Sequence, residues 1–258
     1  MKALLLTLAF LPAIATAKNP GLVTKWTLSE GVEAPESAYL DTGSGHLFLS
    51  QIGGGGGKAK DGDGWISKLT PDGKMLQNKW VTGLDSPKGL RSHDGILWVS
   101  DIDQLVAISI ESGKILSRVK VSDATFLNDV AIGPDGTVYV SDMFQGRIIA
   151  VKDGKPSVFL EGPAIEHANG LLVLGDQLFL AAWGLDIQED NSTKTLGRVL
   201  KVDLSTKKIT PVTPKPVGNL DGIETDGAGG FIVSDWRAGT VFHISATGTA
   251  TLLLSLIH

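Results

Sequence analysis

The sequence contains no cysteine. That excludes disulfides, thiolate zinc sites and cysteine nucleophiles, so the fold must rest on core burial, helped at most by a metal. Basic runs are missing too, and the charge balance is mildly acidic at −5; a nucleic-acid partner is not expected. After the first 17 residues no stretch is long and apolar enough to span a bilayer, so no membrane partner is expected either. No later stretch carries helical periodicity with caps. A Gly-x-Ser-x-Gly nucleophile elbow is absent. Gly53 to Gly57 does not lead into Gly-Lys-Ser/Thr at P-loop spacing. Asp61-Gly62-Asp63-Gly64 lacks the spacing and terminal glutamate of an EF-hand loop and reads as a flexible turn.

What is present is a chain of 258 residues, 42% hydrophobic and 20% charged, ordinary values for a soluble globular protein. Its 32 glycines lie among many short apolar runs, the mark of tight turns between strands. Residues 1–17 read as a signal peptide: Lys2, an apolar run from Ala3 to Ala15, and the small-x-small end Ala15-Thr16-Ala17. The mature domain is then 18–258, secreted or periplasmic, and taken as a monomer.

Five apolar runs share one pattern: His46 to Ser50, Ile96 to Ser100, Thr137 to Ser141, Gln177 to Ala181 and Gly230 to Ser234. Each follows a turn rich in glycine or aspartate. Their last apolar residues, at 49, 99, 140, 180 and 233, are spaced by 50, 41, 40 and 53 residues. Within a unit the turns separate four short strands; in the third these are Asp129–Ile132, Thr137–Ser141, Arg147–Val151 and Ser157–Leu160. A four-stranded antiparallel unit repeating at about 40 residues predicts an all-β propeller. The two long spacings come from insertions after the second strand, at Gly53 to Gly64 and Leu185 to Thr193, placed on one rim. Gly21 to Leu28 reads as a lone strand that would close a ring as the outer strand of its last blade. The fifth unit finishes near Leu254, so a sixth blade would be incomplete at the C-terminus, the alternative being a five-bladed ring.

Counting back from those markers finds Glu36, Asn128, Asn169 and Asp221 at one place, the start of each innermost strand. That strand lines the central channel, so the four side chains should converge on the axis. Two carboxylates and two amides make a hard-oxygen set suited to calcium, with Zn2+, Mn2+ or Mg2+ as other divalent candidates. In the second unit Pro87 or Lys88 stands there instead. His167 is a candidate for the channel mouth, with an ordinary loop histidine as the alternative. Trp183 and Trp236 follow second strands and are candidates for the same mouth, whereas Asp101, Asp142 and Asp235 are explained by turn capping.

The stretches Pro35-Glu36-Ser37-Ala38-Tyr39, Leu127-Asn128-Asp129-Val130, Ala168-Asn169-Gly170-Leu171 and Leu220-Asp221-Gly222-Ile223 resemble motifs of the gluconolactonase, senescence marker protein (regucalcin) and luciferin-regenerating enzyme family. Paraoxonases are more distant relatives. The resemblance implies a six-bladed propeller with one catalytic divalent cation, usually calcium, in its channel. It makes Glu36, Asn169 and Asp221 metal ligands and Asp221 also the general base. Asn128 would hold the metal or the substrate, with Asp129 beside it, and Lys88 or Arg91 would take the part of a substrate-binding arginine. The expected function is hydrolysis of a lactone, a sugar lactone first, or a related ester. The alternative is a non-catalytic propeller that binds a ligand or partner around a structural calcium.

Overall fold

Short extended runs broken by turn residues fold here as antiparallel meanders, because each turn returns the chain beside the strand it has just left. The computed structural model describes residues 23–255; the expected signal peptide lies outside them. Blade 1 comprises β1 (Pro35–Asp41), β2 (His46–Gln51), β3 (Gly64–Leu69) and β4 (Met75–Leu84). Blade 2 comprises β5 (Pro87–His93), β6 (Ile96–Asp101), β7 (Gln104–Ser109) and β8 (Ile115–Lys120). Blade 3 comprises β9 (Leu127–Ile132), β10 (Val138–Asp142), β11 (Arg147–Lys152) and β12 (Lys155–Glu161). Blade 4 starts with β13 (Ala168–Leu174) and β14 (Gln177–Ala182), detours through a hairpin of β15 (Gly184–Ile187) and β16 (Thr193–Leu196), and resumes with β17 (Val199–Asp203) and β18 (Ile209–Pro211). Blade 5 comprises β19 (Leu220–Thr225), β20 (Phe231–Asp235), β21 (Thr240–Ile244) and β22 (Ala250–Ser255). Every blade is a four-stranded antiparallel sheet in sequence order.

The architecture is therefore the expected propeller, but with five blades among the described residues rather than the six the resemblance implies. The ring-closing strand expected at Gly21 to Leu28 is corrected. Gly21 and Leu22 lie outside the described residues, and residues 23–28 form no strand. Two contacts explain this. The outer edge of blade 5 is already filled by β22. Trp26 instead lies over the turn at Gly73 in blade 1, where a Cβ would stand 2.4 Å from the indole ring.

The apolar faces meet in slabs between successive blades. Phe48, Ile66, Leu90 and Val99 join blades 1 and 2, and Leu105, Leu127, Val138 and Val140 join blades 2 and 3. Tyr139, Ile148, Leu171 and Leu180 join blades 3 and 4, and Leu172, Val199, Ile223 and Val233 join blades 4 and 5. Between blades 5 and 1 no such slab forms among the described residues. There a cleft of about 320 Å³ opens, lined by Ala38 and Tyr39 on one side and Ile223, Ile232 and Val241 on the other. The slabs carry the stability. Leu180 is fully buried, so Leu180→Ala should cost about 2–5 kcal/mol in urea unfolding, and a loss below about 1 kcal/mol would contradict the packing between blades 3 and 4.

Candidate functional site

The first strand of each blade carries an irregularity at the same place. Pro35 pairs with Gln51 but Ala38 with Leu49, and Pro87 pairs with Asp101 but Leu90 with Val99. Leu127 pairs with Asp142 but Val130 with Val140; Ala168 pairs with Ala182 but Gly170 with Ala181. Leu220 pairs with Asp235 but Ile223 with Val233. Each first strand thus holds one residue more than its partner, a β-bulge that bends the strand and re-aims a side chain. The residues in these bulges include Glu36, Lys88, Asn128, Asn169 and Asp221.

A serine fixes the bulge. The hydroxyls of Ser50, Ser141 and Ser234 accept the backbone N–H of Ser37, Asp129 and Gly222 at 3.0, 2.9 and 2.8 Å. Ser141 Oγ also donates to the Asn169 carbonyl of the next blade at 2.7 Å, and Ser100 Oγ donates likewise to the Asn128 carbonyl. The sequence pattern used these serines only as strand ends. Their recurrence immediately after the marker residue in four of the five runs was the signal for this role. Blade 4 has Ala181 there, and close approach replaces the latch: a Cβ on Gly170 would sit 1.8 Å from the Asp221 carbonyl oxygen. Gly170→Ala must therefore displace the Asp221 backbone, and the variant should melt at a lower temperature than the parent in a thermal scan while its folded-state circular dichroism spectrum stays unchanged.

The four expected ligands do converge. Glu36, Asn128, Asn169 and Asp221 line one cavity of about 370 Å³, with Lys88 in its wall. Glu36, Asn128 and Asp221 also border the cleft between blades 5 and 1. Asn169 Nδ2 donates to Asp221 Oδ1 at 2.6 Å. Asn169 Oδ1 is buried and has no hydrogen-bond partner. Glu36 keeps an open face to the channel although protein surrounds it. Burial, and then the neighbouring Asp221, push the Glu36 carboxyl up to about 8. Burial, and then Asp129, push Asp221 up to about 7. Lys88 is fully buried; its Nζ donates to Ser86 O at 2.9 Å and Ser86 Oγ at 3.1 Å. Burial lowers its pKa, against the pull of Glu36.

These observations fit a hard cation. Two carboxylates that resist ionising side by side, beside an orphaned buried amide oxygen, are a donor set short of a positive charge. No group of three or more His, Asp or Glu able to hold a metal occurs among the described residues, so a cation here needs the two amides.

Other candidates are placed elsewhere. The Asp129 carboxylate lines the cleft and ties blades together, accepting from Val130 N at 2.8 Å and Leu171 N at 2.7 Å. His167 lines neither cavity; its Nδ1 lies 3.0 Å from the Met143 carbonyl, and its ring packs against Gly146. Arg91 reaches across the axis. Its Nη1 donates to Glu224 of blade 5 at 2.5 Å and its Nε to Val130 O of blade 3 at 3.3 Å. Its Nη2 reaches Leu171 O of blade 4 at 3.5 Å, and the guanidinium lies over Tyr39 of blade 1, 5.1 Å from the ring centroid.

Known proteins share this arrangement of strands. A gluconolactonase from Xanthomonas campestris superposes with a TM-score of 0.61 at 13% identity, over 87% of this chain and 76% of that one. A virginiamycin B lyase from Staphylococcus aureus gives 0.57 at 13% identity, over 88% and 86% of the two chains. A streptogramin B lyase gives 0.57 at 14%, over 90% and 86%. The fold is a β-propeller. At these identities the likeness extends no further than that, and no family model matches the chain. In sequence, the core trichothecene cluster protein 14 of Fusarium sporotrichioides is 27% identical over 125 residues, which span 45% of this chain and 31% of that protein.

The propeller rim above the site is built by the loops that leave second strands. Both insertions reach it, the first through Gly57 and the second through Asn191. The β15–β16 hairpin is pinned there: Trp183 Nε1 donates to Asn191 O at 3.0 Å, and Arg237 Nη1 to Asp190 O at 2.5 Å. Trp183 and Trp236 line the mouth as expected, and Phe126, Phe144 and Met143 join them.

Proposed function

We propose that the protein is a divalent-cation-dependent hydrolase of a lactone or related ester, with Glu36, Asn128, Asn169 and Asp221 holding the ion. The observation that carries this reading is the unpartnered, buried Asn169 Oδ1, beside Asp221, whose carboxyl burial and then Asp129 push up, in a cavity shared with Glu36, whose carboxyl burial and then Asp221 push up. Calcium is the first choice, because the donors are carboxylate and amide oxygens. When bound, such an ion polarises an acyl carbonyl and stabilises the oxyanion that develops on it.

The chain's own groups supply the rest. Asn169 Nδ2 occupies Asp221 Oδ1, which orients the carboxylate and leaves Oδ2 as the proton acceptor. Water adds its oxygen to the acyl carbon as Asp221 Oδ2 takes one of its protons. The same proton then passes to the departing alkoxide as the acyl C–O bond breaks, giving a carboxylic acid and a hydroxyl. The gluconolactonase among the structural neighbours supports the hydrolase reading, and the two lyases support an enzyme more generally.

The test is hydrolysis of a panel of lactones by the mature chain with calcium and with a chelator. Turnover that the chelator abolishes and calcium restores is the expected result. Calcium that raises the melting temperature with no turnover on any lactone would favour a binding propeller around a structural ion.

A further inference from the structure

Resting on that reading, we infer that the substrate is an aromatic lactone or ester rather than a polyhydroxylated sugar lactone. The inference comes from what the cavity offers once the ion set is subtracted. Six polar side chains line the 370 Å³ space, and Glu36, Asn128, Asn169 and Asp221 are the proposed ligands. Lys88 is committed to Ser86 through two hydrogen bonds. Asn191 remains, at the rim on the hairpin. A sugar ring presents several hydroxyls, and each one desolvated without a partner weakens binding. This cavity has too few free donors and acceptors to meet them.

Its other walls are apolar, and half of the residues in them are aromatic. Phe126 and Phe144 lie 4.8 Å apart by ring centroids, and Trp183 and Trp236 lie 5.9 Å apart. Pro35, Ile52 and Met143 add to the apolar lining. Trp183 is buried, but Trp236 is 60% exposed at the edge of the cavity. A large aromatic left in water beside an apolar-walled pocket is the feature expected of a ligand-binding mouth. Lys58 Nζ lies 4.5 Å from the Phe144 ring centroid and Lys88 Nζ 4.7 Å from that of Phe126. The phenylalanine pair is thus already engaged by cations, which leaves the tryptophan pair as the stacking surface. An aryl group on the Trp183–Trp236 side would bring an attached acyl carbon toward Asn169 and Asp221, which line the same space.

Two readouts separate this inference from the hydrolase reading. The first compares kcat/KM for dihydrocoumarin and gluconolactone with calcium present. The second follows tryptophan fluorescence as the lactam analogue of dihydrocoumarin, which resists hydrolysis, is titrated in. The expected result is an aromatic preference of about tenfold or more, saturable quenching by the lactam, and a fall in that preference in Trp236→Ala. Faster hydrolysis of gluconolactone would overturn the aromatic assignment and leave the hydrolase standing. Saturable lactam binding that weakens in Trp236→Ala, with neither lactone hydrolysed, would support the aromatic site and sink the hydrolase. Absence of both quenching and turnover would overturn the two together.

Discussion

Asp221→Asn is expected to lower kcat for lactone hydrolysis by about 10²–10⁴-fold at saturating calcium. The substitution keeps the shape of the side chain and one oxygen facing Asn169 Nδ2, now 2.6 Å away. It removes the proton acceptor at the second oxygen, which the mechanism requires to take up and return the water's proton. It also removes one of two carboxylates from the ion set, so calcium affinity falls as well. The experiment therefore needs a calcium series, with kcat read on its plateau. A plateau within threefold of the parent would reject Asp221 as the base while leaving it a ligand. Glu36→Gln should show the opposite split, with a large shift in the calcium midpoint and a smaller loss at the plateau, because Glu36 is assigned no proton transfer.

Calcium binding should tighten by about tenfold or more between pH 6 and pH 8, even though the open channel face of Glu36 screens part of its shift. The sign follows from the protons that binding displaces. Glu36 is pushed up to about 8 and Asp221 to about 7 without an ion, so both carry protons at pH 6 that calcium must expel. At pH 8 both carboxyls carry fewer protons, so less opposes the ion. The same shifts give the metal-free protein an unusual stability profile. For an acid whose folded pKa is raised, the folded state binds more protons, so stability is highest below the unfolded value and declines as pH rises through the folded one. The melting temperature of chelated protein should thus fall between about pH 4.5 and pH 8, and calcium should remove that slope. Calorimetry in buffers of different ionisation enthalpy counts the protons released. Release of none across this range would mean that the ion does not bind these carboxylates.

The repeat and its polar register were legible in the sequence because a propeller writes its geometry periodically. An offset of 11 to 13 residues from the marker back to Glu36, Asn128, Asn169 or Asp221 is a position on the axis, whatever loops intervene. The insertions were legible for the same reason, since a long interval after a second strand can lie only on the rim. Interactions between repeats were harder to see. Which oxygen of Asp221 is occupied, and which amide oxygen of Asn169 is not, depends on a neighbour 52 residues away. The commitment of Asp129 to Leu171 N likewise belongs to the contact between blades. Trp26 misled because an apolar run with strand propensity needs a free sheet edge, and its side chain found the turn at Gly73 instead. His167 misled because sequence proximity to Asn169 does not survive a left-handed turn: Glu166 and His167 have φ of 47° and 51°, which swing the ring toward Met143.

Among the described residues four slabs join five blades, and in such a series of neighbours the outermost units open first. Hydrogen exchange should be slowest in blade 3, flanked by two slabs, and fastest along β1 and β19 at the seam. Those frayable ends carry the two acids of the site, Glu36 on blade 1 and Asp221 on blade 5. Arg91, on blade 2, touches Tyr39 of blade 1 and Glu224 of blade 5 and so bridges the seam. An ion gripped by Glu36 and Asp221, which border the same cleft as Arg91, would act as a second clasp between blades 1 and 5, so that loading the site and fastening the seam would become one event.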